Sequence, residues 1–295
     1  MSDGLSAKIK EELMNMKKIP CYASCTGVLL FSLGTGVYGG AMGNDSLASV
    51  GSIYVGAFGG GGAVTNTGLS QQGTAFYAEA SGGPLAVNAT GQLSGSSAWI
   101  VGGHVGYQWP ERVLNHIGSN WTFAPATELE GFYIGGASLS GDDLSNDTTR
   151  LTEHDFFITS PMQTGVFLVN AVFSANHPSL GKFHPYIGVG AGTAVISIVG
   201  ANSTQKTPSE PGINHYNSGS SDTGIAFAAQ PKMGVSFNLS QNTTMFVEYR
   251  FLYLSASNYT LGSTVYPTHV ATSNWDVKMG SQYFNMGTVG LQYDL

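Results

Sequence analysis

A two-residue alternation of apolar and polar side chains constrains the fold of this chain more than any other feature. The clearest case is residues 244–254 (TMFVEYRFLYL), where Glu248 and Arg250 fall on the face opposite to an unbroken apolar one. That apolar face consists of Met245, Val247, Tyr249, Phe251 and Tyr253. Because side chains alternate between the two faces of a β-strand, this segment predicts a strand with one face in an apolar medium.

Seven other segments have the same period, so the sequence predicts eight strands in total. They are residues 52–64, 98–109, 122–136, 162–175, 183–199, 223–239 and 288–295. Their inward faces are expected to enclose a polar lumen.

The connections between these segments alternate in length. Those after the first, third, fifth and seventh strands are long and polar, and they cover residues 65–97, 137–161, 200–222 and 255–281. The other three are shorter and cover residues 110–121, 176–182 and 240–242. This alternation is typical of strands that cross a membrane up and down. We predict an all-β fold, an eight-stranded antiparallel up-and-down transmembrane β-barrel with four long extracellular loops.

The first long loop leaves the number of strands open. Residues 73–80 and 85–89 flank the turn-forming residues 81–84 (SGGP), as in a hairpin. If both segments crossed the membrane, there would be ten strands. Since residues 85–89 are fewer than the about 9–11 that a crossing strand needs, we predict a hairpin above the membrane.

The composition favours a chain whose surface need not face water. Only 10% of the residues are charged and 41 are glycine, against about 25% charged residues and about 7% glycine in an average soluble domain. The mean hydropathy of +0.04 fits a barrel, because alternation offsets its apolar residues. The formal net charge of -7 argues against nucleic-acid binding.

The first 39 residues predict an N-terminal extension followed by a secretory signal peptide. Residues 16–18 read Met-Lys-Lys, an apolar stretch follows from residue 21 to residue 33, and small residues continue to Gly39. We therefore expect residues 1–39 to be this extension and signal peptide, and residues 40–295 to be the barrel domain. Both cysteines, Cys21 and Cys25, lie in the first region, so no disulfide is expected in the second.

The last predicted strand ends in a pattern found in outer-membrane barrels. Thr288 is followed by Gly290, then by the aromatic Tyr293 and a final apolar Leu295. With the phrase HPYIGVGAG at residues 184–192, the chain resembles the small eight-stranded outer-membrane barrel family, which includes opacity-type adhesins and the transmembrane domain of outer membrane protein A. The resemblance identifies these four residues as a barrel-assembly signal, although most members end in Phe.

The same resemblance implies a location and a set of partners. The location is the outer membrane of a Gram-negative bacterium. The partners are outer-membrane lipid and lipopolysaccharide, the barrel-assembly machinery, and a host or matrix ligand. Because members are structural, adhesive or host-contacting surface proteins, we expect a structural or adhesive role through the extracellular loops. Some members form small pores, so a small porin-like diffusion channel is the alternative.

Inward charged residues predict a lumen plugged by an ion-pair network. Side chains, not a wide channel, fill the interior of an eight-stranded barrel. The inward set is Glu128, Glu130, Lys232, Glu248 and Arg250, with His104 near it. A similar network lies in the barrel of outer membrane protein A. The network is either static and satisfies buried charges, which we favour, or it rearranges as a gate.

The sequence does not match the catalytic groups of small outer-membrane enzymes. A lipid A deacylase would have a His-X-Ser-Asn pattern on a late strand, whereas residues 269–274 (HVATSN) have another spacing in a loop. Residues 142–143 (DD) and 153–155 (EHD) resemble the acidic and Asp-His pairs of an omptin-like protease only superficially, because both lie in one loop. We predict no catalytic, cofactor or metal site and no enzymatic activity. A lipid A-modifying enzyme is the least favoured alternative.

Overall fold

Eight antiparallel strands close into a ring. The computed structural model describes residues 51–110, 112–113, 121–146 and 154–295, so the predicted extension and signal peptide lie outside the described residues. The strands are β1 (Ser52–Val64), β2 (Thr67–Ala75), β3 (Leu85–Leu93), β4 (Ser97–Gln108), β5 (Arg112–Val113), β6 (Thr122–Asn146), β7 (Asp155–Asn176), β8 (Phe183–Ile198), β9 (Asn202–Thr207), β10 (Asp222–Asn238), β11 (Thr243–Leu254), β12 (Ser257–Leu261), β13 (Trp275–Met279) and β14 (Gln282–Asp294). Two short 3-10 helices lie at Glu79–Ser81 and Pro178–Leu180.

The ring follows the order β1, β4, β6, β7, β8, β10, β11, β14 and returns to β1. The first and last strands close it, with a register that runs from the pair Tyr54 and Asp294 to the pair Val64 and Phe284. Closure pairs the backbone amides of all eight strands, as a lipid environment requires. The predicted eight-stranded antiparallel barrel is confirmed.

The outer surface carries an apolar belt about as tall as the membrane-facing band of an outer-membrane barrel. Trp99 on β4 and Trp109, the first residue after it, are half exposed and lie ten residues apart. Ten residues cover about 34 Å of strand, or about 25 Å along the membrane normal at a tilt of about 40°. The exposed apolar side chains include Val101, Val105, Leu129, Phe167, Val169, Ile187, Val189, Ile225, Phe227, Met233, Val235, Val247, Val289 and Leu291.

Aromatic pairs mark both edges of this belt. At one edge, the rings of Trp99 and Tyr133 are 5.3 Å apart. At the other edge, the rings of Tyr107 and Trp109 are 4.9 Å apart. Aromatic girdles of this kind lie at the two membrane interfaces of outer-membrane barrels. In the described part of the chain, no helix is both long and apolar enough to cross a membrane.

Several strands are longer than the sequence predicted. β6 and β7 extend well beyond the predicted 122–136 and 162–175, and β14 begins at Gln282, not at residue 288. The prediction of a polar loop at residues 137–161 was wrong where β6 and β7 continue their pairing from Ala137 and Met162 to Ser145 and Asp155. The pairing continues because the extended parts of β6 and β7 are also hydrogen-bonded to β3 and β9, which lie outside the ring. The sequence of a single segment does not reveal such partners.

These upper parts of β6 and β7 join further strands to form an extracellular assembly. We define it as β2, β3, β9, β12, β13, the parts of β6 and β7 above the belt, and the connections that follow β2, β9 and β12. Its hydrogen-bonded order is β12, β13, β2, β3, β6, β7, β9. The predicted hairpin above the membrane is present as β2 and β3, which pair from Thr67 with Leu93 to Ala75 with Leu85. The hairpin lies outside the ring, which decides between eight and ten strands.

A bulge separates the membrane-spanning part of β6 from its extracellular part. The register of β6 with β7 shifts between Ile134 and Ala137. Gly136 has a φ of 77° at this shift, in the left-handed region that glycine adopts without a steric penalty. The bulge lies next to the Trp99 ring at the edge of the belt. β6 therefore changes register as it leaves the membrane.

Gly290 provides a test of how tightly the ring is packed. A Cβ atom at this position would lie within 3 Å of the Phe246 ring and the carbonyl oxygen of Ala57. Because backbone must shift to admit it, we expect Gly290→Ala to lower the free energy of unfolding by about 1–3 kcal/mol. Urea unfolding of the barrel in phospholipid vesicles measures this change.

The control is Gly287→Ala on the same strand. No atom lies within 4 Å of a Cβ built at Gly287, whose position faces outward. We expect a change of about 0.5 kcal/mol or less. Equal effects of the two substitutions would contradict the packing seen at Gly290.

Candidate functional site: the lumen and the extracellular assembly

The charged residues predicted to face the lumen form one buried cluster in the middle of the barrel. The period of two places Glu128 and Glu130 on the inward face of β6. Lys232 comes from β10 and is paired in register with Arg250 of β11. Each of these residues, like Glu248, is at most 5% exposed. Three strands therefore bring three carboxylates and two cations together.

Lys232 contacts all three carboxylates. Its Nζ atom is 2.7 Å from Glu128 Oε2 and 3.2 Å from Glu130 Oε2. A third contact, to Glu248 Oε2, is 3.6 Å long. An ammonium group has three N–H donors, so one lysine can serve three acceptors.

Arg250 joins the other side of the cluster. Its guanidinium forms ion pairs with Glu130 and Glu248. It also lies over the ring of Phe58, with its Cζ atom 3.9 Å from the ring centroid, and 5.6 Å from that of Phe132. A cation over an aromatic face is stabilised by the ring quadrupole. Arg250 is thus held by acids on one side and by rings on the other.

Neutral polar groups complete the cluster. The Tyr54 hydroxyl donates to Glu128 Oε1 at 2.9 Å, and the Tyr186 hydroxyl donates to Glu248 Oε2 at 3.0 Å. Asn170 and Gln230 donate side-chain amide hydrogens to Glu130 Oε2. Sequence reasoning did not assign these four residues to the network, although all four are inward positions of predicted strands. Uncharged polar residues face many lumens, so the pattern alone could not single them out.

His104 lies beside the cluster. Its ring is 5.7 Å from the Tyr54 ring, 6.3 Å from the Phe58 ring and 5.7 Å from the Phe246 ring. Both ring nitrogens are buried and have no hydrogen-bond partner among the described residues. His104 therefore takes part through ring packing.

A polar cavity lies between the cluster and the end of the barrel that carries the short connections. Its volume is about 220 Å³. It is lined by Glu128 and Lys232 at one end and by strand-end residues such as Asn176, Asn238 and Asp294 at the other. This part of the lumen agrees with the polar interior expected from the sequence.

Most inward positions on the other side of the cluster are apolar, with Thr164 and Gln282 as buried polar exceptions, which corrects the expectation of a lumen that is polar throughout. The apolar residues are Ile100, Ile134, Val166, Leu168, Ala194, Ile196, Ala226, Ala228, Leu252, Leu254, Phe284 and Met286. They belong to one buried cluster with side chains of the extracellular assembly such as Leu139, Ile158 and Trp275. The upper strand halves are apolar on both faces because one face packs inside and the other meets lipid.

The extracellular assembly brings together three side chains that sequence reasoning missed as a group. Glu210 and His215 lie in the connection between β9 and β10, and His269 lies between β12 and β13. Glu210 Oε2 is 3.2 Å from His269 Nε2 and 3.6 Å from His215 Nε2. No local signal could have found this group, since the residues come from two connections far apart in sequence.

His215 is the most buried of the three and is held on several sides. Burial lowers the pKa of its imidazole below the ordinary range, and nearby His269 acts in the same direction. The Ser203 carbonyl and Glu210 act in the opposite direction and do not offset it. The Phe156 ring stands edge-on at 5.2 Å from the imidazole and helps to fix its orientation.

The residues of the predicted assembly signal lie on β14 and at the chain end. Thr288 is buried on the inward face, while Tyr293 and Leu295 are about half exposed on the outer side. Gly290 packs against the ring of Phe246. The alternation predicted for this strand is therefore present. Recognition by the barrel-assembly machinery stays a prediction.

A family model described as "Surface antigen" matches residues 101–293, about two thirds of the sequence. The chain belongs to this surface antigen family. The closed ring, its apolar belt and the family together place this surface antigen in the outer membrane of a Gram-negative bacterium.

Comparison with curated protein sequences finds no match for this surface antigen. Among solved structures, it is similar to the outer membrane protease OmpT from Escherichia coli, with 10% identity and a TM-score of 0.38 over 82% of this chain and 97% of that chain. Neisserial surface protein A has 13% identity and a TM-score of 0.28 over 83% and 99%. The translocator domain of the autotransporter NalP from Neisseria meningitidis has 13% identity and a TM-score of 0.22 over 79% and 88%.

The charge cluster yields a stability prediction. Arg250→Met leaves Lys232 as the only cation for three buried carboxylates of the cluster, so we expect the free energy of unfolding to fall by about 3–5 kcal/mol. Unfolding by guanidinium in phospholipid vesicles, followed by tryptophan fluorescence, measures the change. Lys278→Met, at an exposed position of β13, is the control and should change stability by about 0.5 kcal/mol or less.

A second substitution separates loss of pairing from loss of packing. Adding Glu130→Gln to Arg250→Met removes the charge of one of the two carboxylates that lost Arg250 as a partner, and should restore part of the lost stability. If the two substitutions were simply additive, Arg250 and Glu130 would not be coupled, and the cluster would not act as a unit.

Proposed function

We propose that this surface antigen is a closed barrel without enzymatic activity that presents an ordered extracellular assembly for structural and adhesive contacts. The observation that carries the proposal is the two-part filling of the lumen. A charge cluster spans the middle, and buried apolar side chains occupy the inward positions above it. Water and small solutes would have to displace both, and the mostly apolar upper part offers them few hydrogen-bond partners.

The order of the extracellular assembly supports a presenting role. Its strands have a buried core that includes Leu93, Leu139, Ile158, Tyr216 and Trp275. The Tyr216 hydroxyl is hydrogen-bonded to Gln71 Oε1, which ties the connection after β9 to the β2–β3 hairpin. A rigid scaffold lowers the entropy cost of binding a partner at its exposed turns. The binding surface is therefore proposed to lie on turns that this core holds in place.

The absence of enzymatic activity is part of the same proposal. The nearest approach to a deacylase pattern is His269 with Ser273. Ser273 Oγ donates to the Asn274 carbonyl and accepts from the Thr74 backbone amide, while His269 Nε2 faces Glu210. A serine nucleophile needs a base within hydrogen-bond reach, and this serine has other partners. We therefore expect that overexpression of the protein leaves the lipid A profile of the cells unchanged.

A small diffusion channel is the second candidate. The polar cavity of about 220 Å³ favours it, because this cavity reaches from the strand ends to Lys232. Conduction would then need the charge cluster and the upper part of the lumen to rearrange.

Solute flux separates the two candidates. Liposomes that contain the folded protein should swell in small sugars no faster than protein-free liposomes, because the lumen is closed. Arg250→Ala, tested as the folded fraction in planar bilayers, should also lack steady conductance, since the apolar part of the lumen remains. Steady sugar-dependent swelling with the unmodified protein would establish the channel instead. A conductance that appears only in Arg250→Ala would identify the charge cluster as a gate.

Ligand contact is tested at the exposed turns. Phe76 and Val265 are large apolar residues of the extracellular assembly that are 53% and 60% exposed. Exposed apolar groups at turns are candidate contact points. We therefore expect cells that display the Phe76→Ser/Val265→Ser protein to bind host cells or matrix proteins several-fold less, because roughly one or two interface contacts are lost.

The control for this experiment is Lys278→Ser on β13, an exposed polar position of the same assembly. Surface abundance of each protein is measured in parallel, so that binding is expressed per displayed molecule. Equal binding by all variants, and by cells without the protein, would contradict the adhesive role.

A further inference from the structure

The group of Glu210, His215 and His269 has the spacing of a metal site. The oxygen and the two nitrogens that face one another all lie within 4.8 Å. In a tetrahedral zinc site, bonds of about 2.0–2.1 Å place neighbouring ligand atoms about 3.3 Å apart. The two measured distances from Glu210 Oε2, 3.2 Å to His269 Nε2 and 3.6 Å to His215 Nε2, are close to that edge.

Both imidazoles are held with the same nitrogen turned inward. His215 Nδ1 is 2.9 Å from the Ser203 carbonyl oxygen, and His269 Nδ1 is 2.6 Å from the Val270 carbonyl oxygen. Since a carbonyl oxygen can only accept, Nδ1 must donate in each ring. In the neutral ring, the lone pair then lies on Nε2, which faces Glu210. Such a backbone contact to the outer nitrogen is a regular feature of metal-binding histidines.

The inward-facing atoms have no other partner that would explain their arrangement. Glu210 Oε2 is buried and has no hydrogen-bond donor among the described residues. With both Nε2 atoms unprotonated, three electron-pair donors face one another across less than 5 Å. Acceptors placed in this way repel each other unless a cation or a proton lies between them.

The surroundings leave room for a small ion and exclude most water. A cavity of about 50 Å³ adjoins the three side chains, and Phe156 and Trp275 form part of its wall. This is more than the about 15 Å³ that one water molecule needs. His154 lines the same cavity. A water molecule could take the fourth ligand position of the ion.

We propose that Glu210, His215 and His269 form a binding site for a divalent transition metal, with Zn²⁺ as the best match. Two imidazoles and one carboxylate are a donor set of zinc, whereas Ca²⁺ and Mg²⁺ prefer oxygen ligands. The ion would connect the β9–β10 connection to the β12–β13 connection. It would therefore hold these two connections of the extracellular assembly together, whether or not the barrel conducts.

The other explanation for this geometry is a shared proton. One protonated histidine could form an ion pair with Glu210 and leave the second histidine neutral. Such a pair accounts for one of the two contacts to Glu210 Oε2 and gives no reason for both rings to turn Nε2 inward. Binding experiments separate the two explanations, because a shared proton requires no affinity for zinc, whereas a metal site binds zinc at neutral pH and releases any proton held there.

The test uses the full barrel domain folded in detergent micelles, without a polyhistidine tag and freed of metal by chelation. Calorimetric titration with ZnCl₂ should show one site per chain. Glu210→Gln and His269→Ala should each weaken binding by at least about tenfold, the lower range for losing even an outer-shell partner. His177→Ala removes a partly exposed histidine at the opposite end of the barrel and serves as the matched control, with unchanged affinity.

Two further measurements keep the result decisive if a variant fails to fold. Co²⁺ bound to the unmodified protein should give the strong visible absorption of tetrahedral coordination, and Zn²⁺ should displace it. Ca²⁺ and Mg²⁺ should not. No zinc binding by the unmodified protein, or binding that Glu210→Gln leaves unchanged, overturns the proposal and favours the shared proton. Equal binding of Ca²⁺ overturns the assignment to a transition metal.

Discussion

The requirement that lipid imposes on the backbone underlies the rest of this structure. Inside a membrane no water can satisfy an amide or carbonyl group, so the strands must close on themselves. The pairing of β1 with β14 achieves this closure with eight strands. A ring of that size leaves a narrow interior, and every inward side chain must either pack against another or find a polar partner. The contents of the lumen follow from that limit.

The lumen meets this limit in two different ways. Around Lys232 and Arg250, three carboxylates and several neutral donors satisfy one another, which offsets the cost of removing charges from water. Above them most inward residues are apolar and need no polar partner. The resulting interior is continuous with the core of the extracellular assembly. In this protein, the strands that cross the membrane and the surface that faces outward share one packed interior.

Prediction from the sequence succeeded where the pattern was local. Segments such as 52–64 and 244–254 carry enough alternating residues to reveal a strand and its two faces, and β1 and β11 match them within one residue. β9, β12 and β13 were missed because each has only five or six residues, as in β13, where Trp275, Val277 and Met279 are the only apolar repeat. Glu210, His215 and His269 were missed as a group because two separate connections supply them.

The sequence by itself determined which side of each barrel strand meets lipid, how many strands cross, and which charges face inward. These properties depend on a period of two that any single segment displays. Only the tertiary structure decided which inward residues touch, that the upper lumen is mostly apolar, and that the long connections add strands to the barrel sheet. Those outcomes depend on register and on pairing between distant segments, and no property of one segment contains that information.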